Sequence, residues 1–219
     1  MTKASLLLAM LVLACLAAPA AGQPVLMNGD FETDANMFGT WPGYYGFYTP
    51  PASTGFPAGT NPMDITGWTH TGGGGLVPGS QPGNPDGTFR DNGVDGAGNI
   101  TNVAFIQGTG SLSQQISGFN IGGDYQLDFD YNARNCCGDF PMMTVSIADL
   151  GVGGHAISYT DNDILNVDPH GAHTTPWYHG RIIFRADSDT LILTVASQTI
   201  NGGDGTLIFD NFVLAATTH

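Results

Sequence analysis

Along the second half of the chain apolar and polar residues alternate with a period of two. In DYQLDFDYNAR, Tyr125, Leu127, Phe129, Tyr131 and Ala133 fall on one side, and Gln126, Asp128, Asp130, Asn132 and Arg134 on the other. That is the pattern of an antiparallel strand with one face on a core and the other in water. MMTVSIA repeats it with Met143, Val145 and Ile147 inward, and TLILTVAS with Leu191, Leu193 and Val195. Further strands are predicted at VAFIQG, GSLSQQIS, WYHGRIIFRA and TLIFDNFVL, separated by Gly, Asp and Asn clusters, and a first strand at VLMNGDFET. No stretch has the period of an amphipathic helix. The expected fold is all-β, a two-sheet antiparallel β-sandwich closed as a jelly roll.

The region from Asp34 to Thr66 has no strand period, yet it holds Phe38, Trp41, Tyr44, Tyr45, Phe47, Tyr48 and Phe56. Its aromatic content argues against simple disorder, and loops of this length inside a domain are commonly functional. The remaining composition agrees with short strands and many turns: 32 glycines, 13 prolines and only 11% charged residues. One domain over residues 23–219 is expected, with the aromatic-rich loop at about 34–66.

Residues 1–22 read as a secretory signal peptide: Lys3, then a short apolar run ending in small residues at Ala18 and Ala20. The alternative is a lipoprotein signal, because VLAC before Leu16 would make Cys15 the lipidated residue. Cleavage leaves Arg90, Arg134, Arg181 and Arg185 against nineteen acidic residues. Such a surface repels nucleic acid and anionic lipid and suits cations or neutral partners. No later segment is apolar for long enough to span a membrane. Cys136 and Cys137 are adjacent and cannot staple distant parts of the chain; two thiols are expected rather than a strained vicinal disulfide.

Sequence patterns for catalysis are absent: there is no GxSxG, no HExxH and no phosphate-cradling glycine loop. A glycosidase needs two carboxyl groups in distinct environments, most often glutamates, and Glu32 is the only glutamate present. Asp128 and Asp130 are read as solvated, and His170, His173 and His179 as residues of a solvated Gly-Pro loop rather than a metal site. The run from Asp91 to Asn99, DNGVDGAGN, is similar to a calcium loop but lacks its closing glutamate and is read as a turn. Asn99-Ile100-Thr101 is a glycosylation sequon in a eukaryotic setting.

With NGDFE at the first strand, Ile65 to Trp68 (ITGW) opening the next element, VAFIQGTGSLSQQISGF and YQLDFDYNAR in the middle and DGTLIFDNFVL at the end, the chain resembles the galactose-binding-domain-like jelly rolls. Many members of that superfamily are non-catalytic carbohydrate-binding modules. The chain is also similar to secreted bacterial proteins with a PEP-type sorting anchor, although it has no Pro-Glu-Pro motif, final apolar helix or basic tail. The resemblance implies a structural calcium ion held by the carboxylates of Glu32 and Asp210 and the backbone carbonyl of Asp30. Residues 30 and 32 share a face if that segment is a strand.

The expected function is therefore a secreted, calcium-stabilised, non-catalytic protein that binds a neutral glycan or polysaccharide. Sugar rings stack their C–H faces on aromatic rings, and Trp41, Tyr44, Tyr45 and Tyr48, joined by Trp177 and Tyr178, have that composition. Some of these rings could instead cap the core. Arg134 is expected either to clamp the ligand or to pair with an aspartate. The competing class is an extracellular structural or adhesive surface protein, with a cell-surface or matrix protein as partner.

Overall fold

The computed structural model of the chain describes residues 23–34, 37–38, 43–44, 48–49, 59–60, 64–78, 102–134, 141–149, 156–162, 164, 177–199 and 205–217. The strands are β1 (Gly43–Tyr44), β2 (Tyr48–Thr49), β3 (Gly59–Thr60), β4 (Thr69–Pro78), β5 (Asn102–Ser117), β6 (Asp124–Ala133), β7 (Pro141–Asp149), β8 (Ala156–Asp161), β9 (Tyr178–Arg185), β10 (Thr190–Thr199) and β11 (Thr206–Ala216). Every pairing is antiparallel. The expected all-β, two-layered sandwich of jelly-roll type is what forms.

VAFIQG and GSLSQQIS, predicted as two strands, are one strand of 16 residues, β5. Its first part pairs with β11 (Ala104 opposite Phe209) and its last part with β10 (Ser117 opposite Thr190). The change of partner falls around Gly108, whose φ of 72° belongs to the left-handed region that glycine adopts without strain. Opposite it, β4 slips register between Thr71 and Gly73, with Gly72 at φ 77°. One ladder thus turns through both layers: β8-β7-β10-β5 on one side, β5-β11-β6-β9 on the other.

The two layers meet across the alternating apolar residues. Phe129 of β6 meets Tyr159 of β8 edge-on at 5.4 Å, and the Tyr131 hydroxyl lies 2.7 Å from that of Tyr159 and donates to Asp161 at 2.8 Å. The predicted inward residues of β6, β7 and β10 are all buried. The alternation fails at one place: Asn132 and Arg134, predicted on the watery face of β6, are 0% and 8% exposed. They share the outer face with Val103, Phe105 and Ile208, which form a second small apolar cluster under Trp177.

Two strands were hidden from periodicity. In β4 the run Gly72–Gly75 has no side chains to alternate. In the edge strand β8 most residues are exposed, so polar and apolar positions do not sort. The region 34–66, read as lacking strands, contributes β1, β2 and β3, and Phe38 is 5% exposed in the main core instead of on a binding loop.

Outside the β8-β7-β10-β5-β4 layer, register aligns Thr69, Ser113, Thr194, Ser146 and Ser158 in one row. The neighbouring row is Thr71, Ser111, Ala196, Thr144 and Thr160. Neither row holds a charge, whereas the outer face of β6 and β9 carries Asp124, Asp128, Asp130, His179, Arg181 and Arg185.

Candidate functional site

The first and last motifs of the chain dock on each other. Asn28 (φ 50°) and Phe31 (φ 55°) turn the backbone so that the segment closes as a short 3-10 helix, Glu32–Asp34, and not as the strand predicted from VLMNGDFET. Asp30 and Glu32 therefore do not share a strand face; the Asp30 side chain instead accepts a hydrogen bond from the Glu32 N–H at 3.3 Å. The Phe31 ring enters the core against Trp68, Phe209 and Phe212 at 5.5, 5.7 and 6.2 Å. Phe212 N donates to the Gly29 carbonyl at 2.9 Å. A Cβ on Gly29 would collide with the Phe212 backbone and Leu26, so this close approach requires glycine.

A residue without a role in the sequence reading fastens this segment. Asp34 is 5% exposed, and its carboxylate accepts from Thr66 N at 2.7 Å, Thr66 Oγ1 at 2.7 Å and Asn28 Nδ2 at 3.0 Å. Trp68 Nε1 donates to the Asn28 carbonyl at 3.2 Å. NGDFE and ITGW are thus two halves of one knot.

Glu32 reaches the start of β5, accepting from Asn102 N at 2.5 Å and from Asn102 Nδ2 at 2.6 Å. Asp210, 1% exposed on β11, lies where the β6 register slips between Asp210 and Val213 and where Asn211 has φ 53°. Its Oδ1 accepts from Asn211 N at 2.7 Å. The β5–β11 pairing ends at Phe209 and Ala104, next to Asp210 on one strand and two residues from Asn102 on the other, so Glu32, bound to Asn102, and Asp210 belong to the same end of this pair. Among the described residues no three His, Cys, Asp or Glu side chains converge on a metal position. The expected calcium set differs in kind, with two carboxylates and one backbone carbonyl. A carboxylate offers about four lone-pair sites, so acceptance from Asn102 leaves ligation by Glu32 open, and hard oxygen donors of this type fit calcium.

The second group lies on the outer face of β6, β9 and β11. Residues 177, 179 and 181 alternate with Tyr178, whose ring turns inward and stacks on Tyr131 at 5.3 Å. Trp177 is half-buried against the outer cluster, and His179 belongs to strand β9 rather than to a solvated loop. His179 Nδ1 is 2.8 Å from Asp130 Oδ1 and its Nε2 is 3.3 Å from Asp128 Oδ1. Arg181 Nε donates to the same Asp128 oxygen at 2.6 Å, and Gln126 to the other. Asn211 Nδ2 donates to Asp130 Oδ2 at 3.2 Å. Burial alone would raise the Asp128 pKa, but the Arg181 and Gln126 hydrogen bonds and the cationic neighbours outweigh it and hold it below 3.8. The Asp130 hydrogen bond, with the charges of Asp130 and Asp128, outweighs the opposing effect of burial and raises His179 above 6.5.

The other predicted ligand residues are distributed as follows. Tyr44 pairs with Gly75, which faces Phe105, Ile208 and Asn132 in successive strands. Trp177 directly precedes β9, one residue beyond its last pair with β6, Tyr178 with Tyr131. Tyr48 pairs with Thr60 in the separate two-stranded sheet. Arg134 is buried, and its N–H donates to the Thr206 carbonyl at 2.9 Å. Trp41, Tyr45, Cys15, Cys136, Cys137, His170, His173, the run 91–99 and the signal segment 1–22 lie outside the described residues.

No family model matches the chain, and no curated protein matches it. Solved structures similar to it include carbohydrate-binding modules of β-sandwich fold. TmCBM61 in complex with β-1,4-galactotriose is 14% identical, with TM-score 0.47, covering 90% of this chain and 100% of that one. The CBM22-1 xylan-binding domain of Paenibacillus barcinonensis Xyn10C is 12% identical, with TM-score 0.41, covering 68% and 85%. The K1 cleaved adhesin domain of Lys-gingipain from Porphyromonas gingivalis is 11% identical, with TM-score 0.45, covering 69% and 92%.

Proposed function

We propose that this chain is a secreted, non-catalytic carbohydrate-binding protein whose ligand face is the outer side of β6, β9 and β11. The observation that carries the reading is the half-buried Trp177 indole standing beside a fixed set of donors and acceptors, Asp130, His179, Arg181 and Asn211. An indole offers a stacking plane for the C–H side of a sugar, and the polar groups match its hydroxyls. Two carboxylates are balanced by two cationic side chains, which suits a neutral glycan. Asp128, held ionised by Arg181, is in the opposite state to that of a general acid, which needs a raised pKa.

Calcium belongs to this proposal as a structural ion, with Glu32 and Asp210 supplying carboxylates and Asp30 its carbonyl. Its charge would compensate a carboxylate that is 1% exposed at Asp210. Chelation should lower the melting temperature and added calcium restore it, because an ion bound only by the folded state stabilises that state. Asp210→Asn should abolish the calcium response; a melting temperature indifferent to chelator and calcium rejects the ion.

Glycan binding is tested by affinity electrophoresis in gels containing β-1,4-galactan or xylan. Wild type should be retarded, and Trp177→Ala and Asp130→Ala should each lose most of the retardation, about 1 kcal/mol or more per stacking or charged contact. Thr194→Glu, on the opposite face, should migrate like wild type. If no glycan retards the protein while a cell-surface or matrix protein is bound through the same residues, the adhesive reading replaces this one.

A further inference from the structure

The His179 ring stands between two carboxylates, one at each nitrogen. An ionised carboxylate can only accept, and a neutral imidazole has one N–H and no charge, so the hydrogen bond to Asp130 and the ion-pair contact with Asp128 are served together only by the imidazolium. We propose that protonated His179 is the positioning residue of the ligand face: it clamps Asp128 to Asp130, and loss of its proton loosens the acceptor array and weakens glycan binding. This rests on the carbohydrate-binding reading above and adds its control by pH.

On β6 the groups that face the His179 ring are Asp128 and Asp130. On β9, Arg181 shares the Asp128 oxygen that His179 approaches, so that carboxylate keeps one cation when the ring is neutral. From β11, Asn211 holds the far oxygen of Asp130, and Asp210 lies opposite Asp130 in register. Asp130 thus has the His179 ring on one oxygen and the Asn211 amide on the other, beside a strand that brings a further carboxylate. Deprotonation would turn a nitrogen lone pair toward an ionised oxygen and leave the four charged groups one unit more negative, in a chain whose formal charge is already −14. The side chain is 55% exposed, so the proton exchanges with solvent and the ring has room to swing away. The raised His179 pKa accords with this geometry.

The experiment follows affinity for β-1,4-galactan and xylan from pH 5 to pH 9 in wild type, His179→Gln and His179→Lys, alongside an NMR titration of the His179 ring. Wild-type affinity should fall roughly fivefold, as for loss of a largely exposed ion pair, with the same midpoint as the ring. His179→Gln should bind weakly at every pH, and His179→Lys, which keeps its charge, should bind without the midpoint. Affinity that stays flat through the ring's titration overturns the clamp and leaves the carbohydrate reading intact. An equal pH dependence in His179→Gln also overturns it. Absence of glycan binding at every pH, with the ring still titrating above 6.5, overturns both.

Discussion

At the scale of single residues, polar groups are decided by their partners. Asp34 gathers three donors in a nearly solvent-free position. Asp34→Asn would set an amide donor against at least one of them, and leaving a buried charge-assisted bond unmade costs about 2–3 kcal/mol. The expected result is a lower denaturation midpoint with an unchanged slope, whereas Asp30→Asn, on an exposed residue, should change stability by less than about 0.5 kcal/mol. His179 and Asp128 act in opposite pH directions. His179 has a raised folded-state pKa, so its contribution is fully present below about 6.5 and is lost as pH rises through the higher folded value. Asp128 has a lowered one, so its contribution is present above 3.8 and is lost as pH falls through the folded value. His179 is largely exposed and Asp128 partly so, and with solvent screening each effect should be small. Asp130→Asn should bring the NMR midpoint of His179 down toward 6.5; an unmoved midpoint would rule out Asp130 as the cause.

At the scale of elements, glycines decide where strands can approach. Gly180 of β9 faces Phe129 of β6, and a Cβ there would stand 2.2 Å from the Phe129 ring edge, a direct clash. Phe129 cannot retreat easily, because it is stacked on Phe212 at 5.2 Å with an interplanar angle of 13°. Gly180→Ala should therefore destabilise by about 1–3 kcal/mol through overpacking, read as a drop in urea midpoint. A midpoint within experimental error of wild type would mean that β9 shifts freely at this edge of the sheet. The same strand carries Trp177 and His179 to the outer face, so its seating bears on binding as well as on stability.

At the scale of the whole molecule, the described outer faces of the two layers differ in charge. Charged side chains occupy the outer face of β6 and β9, while the two hydroxyl rows of the other layer have none. A formal charge of −14 strains the folded state by self-repulsion, and salt screens it. Raising sodium chloride from about 0.01 M to 0.15 M in the presence of chelator should increase the melting temperature. Calcium at equal ionic strength should raise it further if Glu32 and Asp210 hold the ion; equal increments for both salts would reduce calcium to a screening cation.

Period-two alternation was enough to place β6, β7 and β10 and their inward residues, because a half-buried strand must sort its side chains by face whatever it packs against. It failed where that condition failed: β4 has four glycines in place of side chains, β8 is an exposed edge, and the end of β6 is buried on both faces at Asn132. The pairing of NGDFE with ITGW and with DNF was legible as a set of motifs, but not as geometry. The strand expected around Glu32 gave way to a turn, since Asn28 and Phe31 adopt positive φ to send the Phe31 ring into the core. The cluster of His179 with Asp128, Asp130 and Arg181 joins residues about fifty positions apart. Local sequence sets which face a side chain takes, but only strand order and register decide which other side chain it meets there.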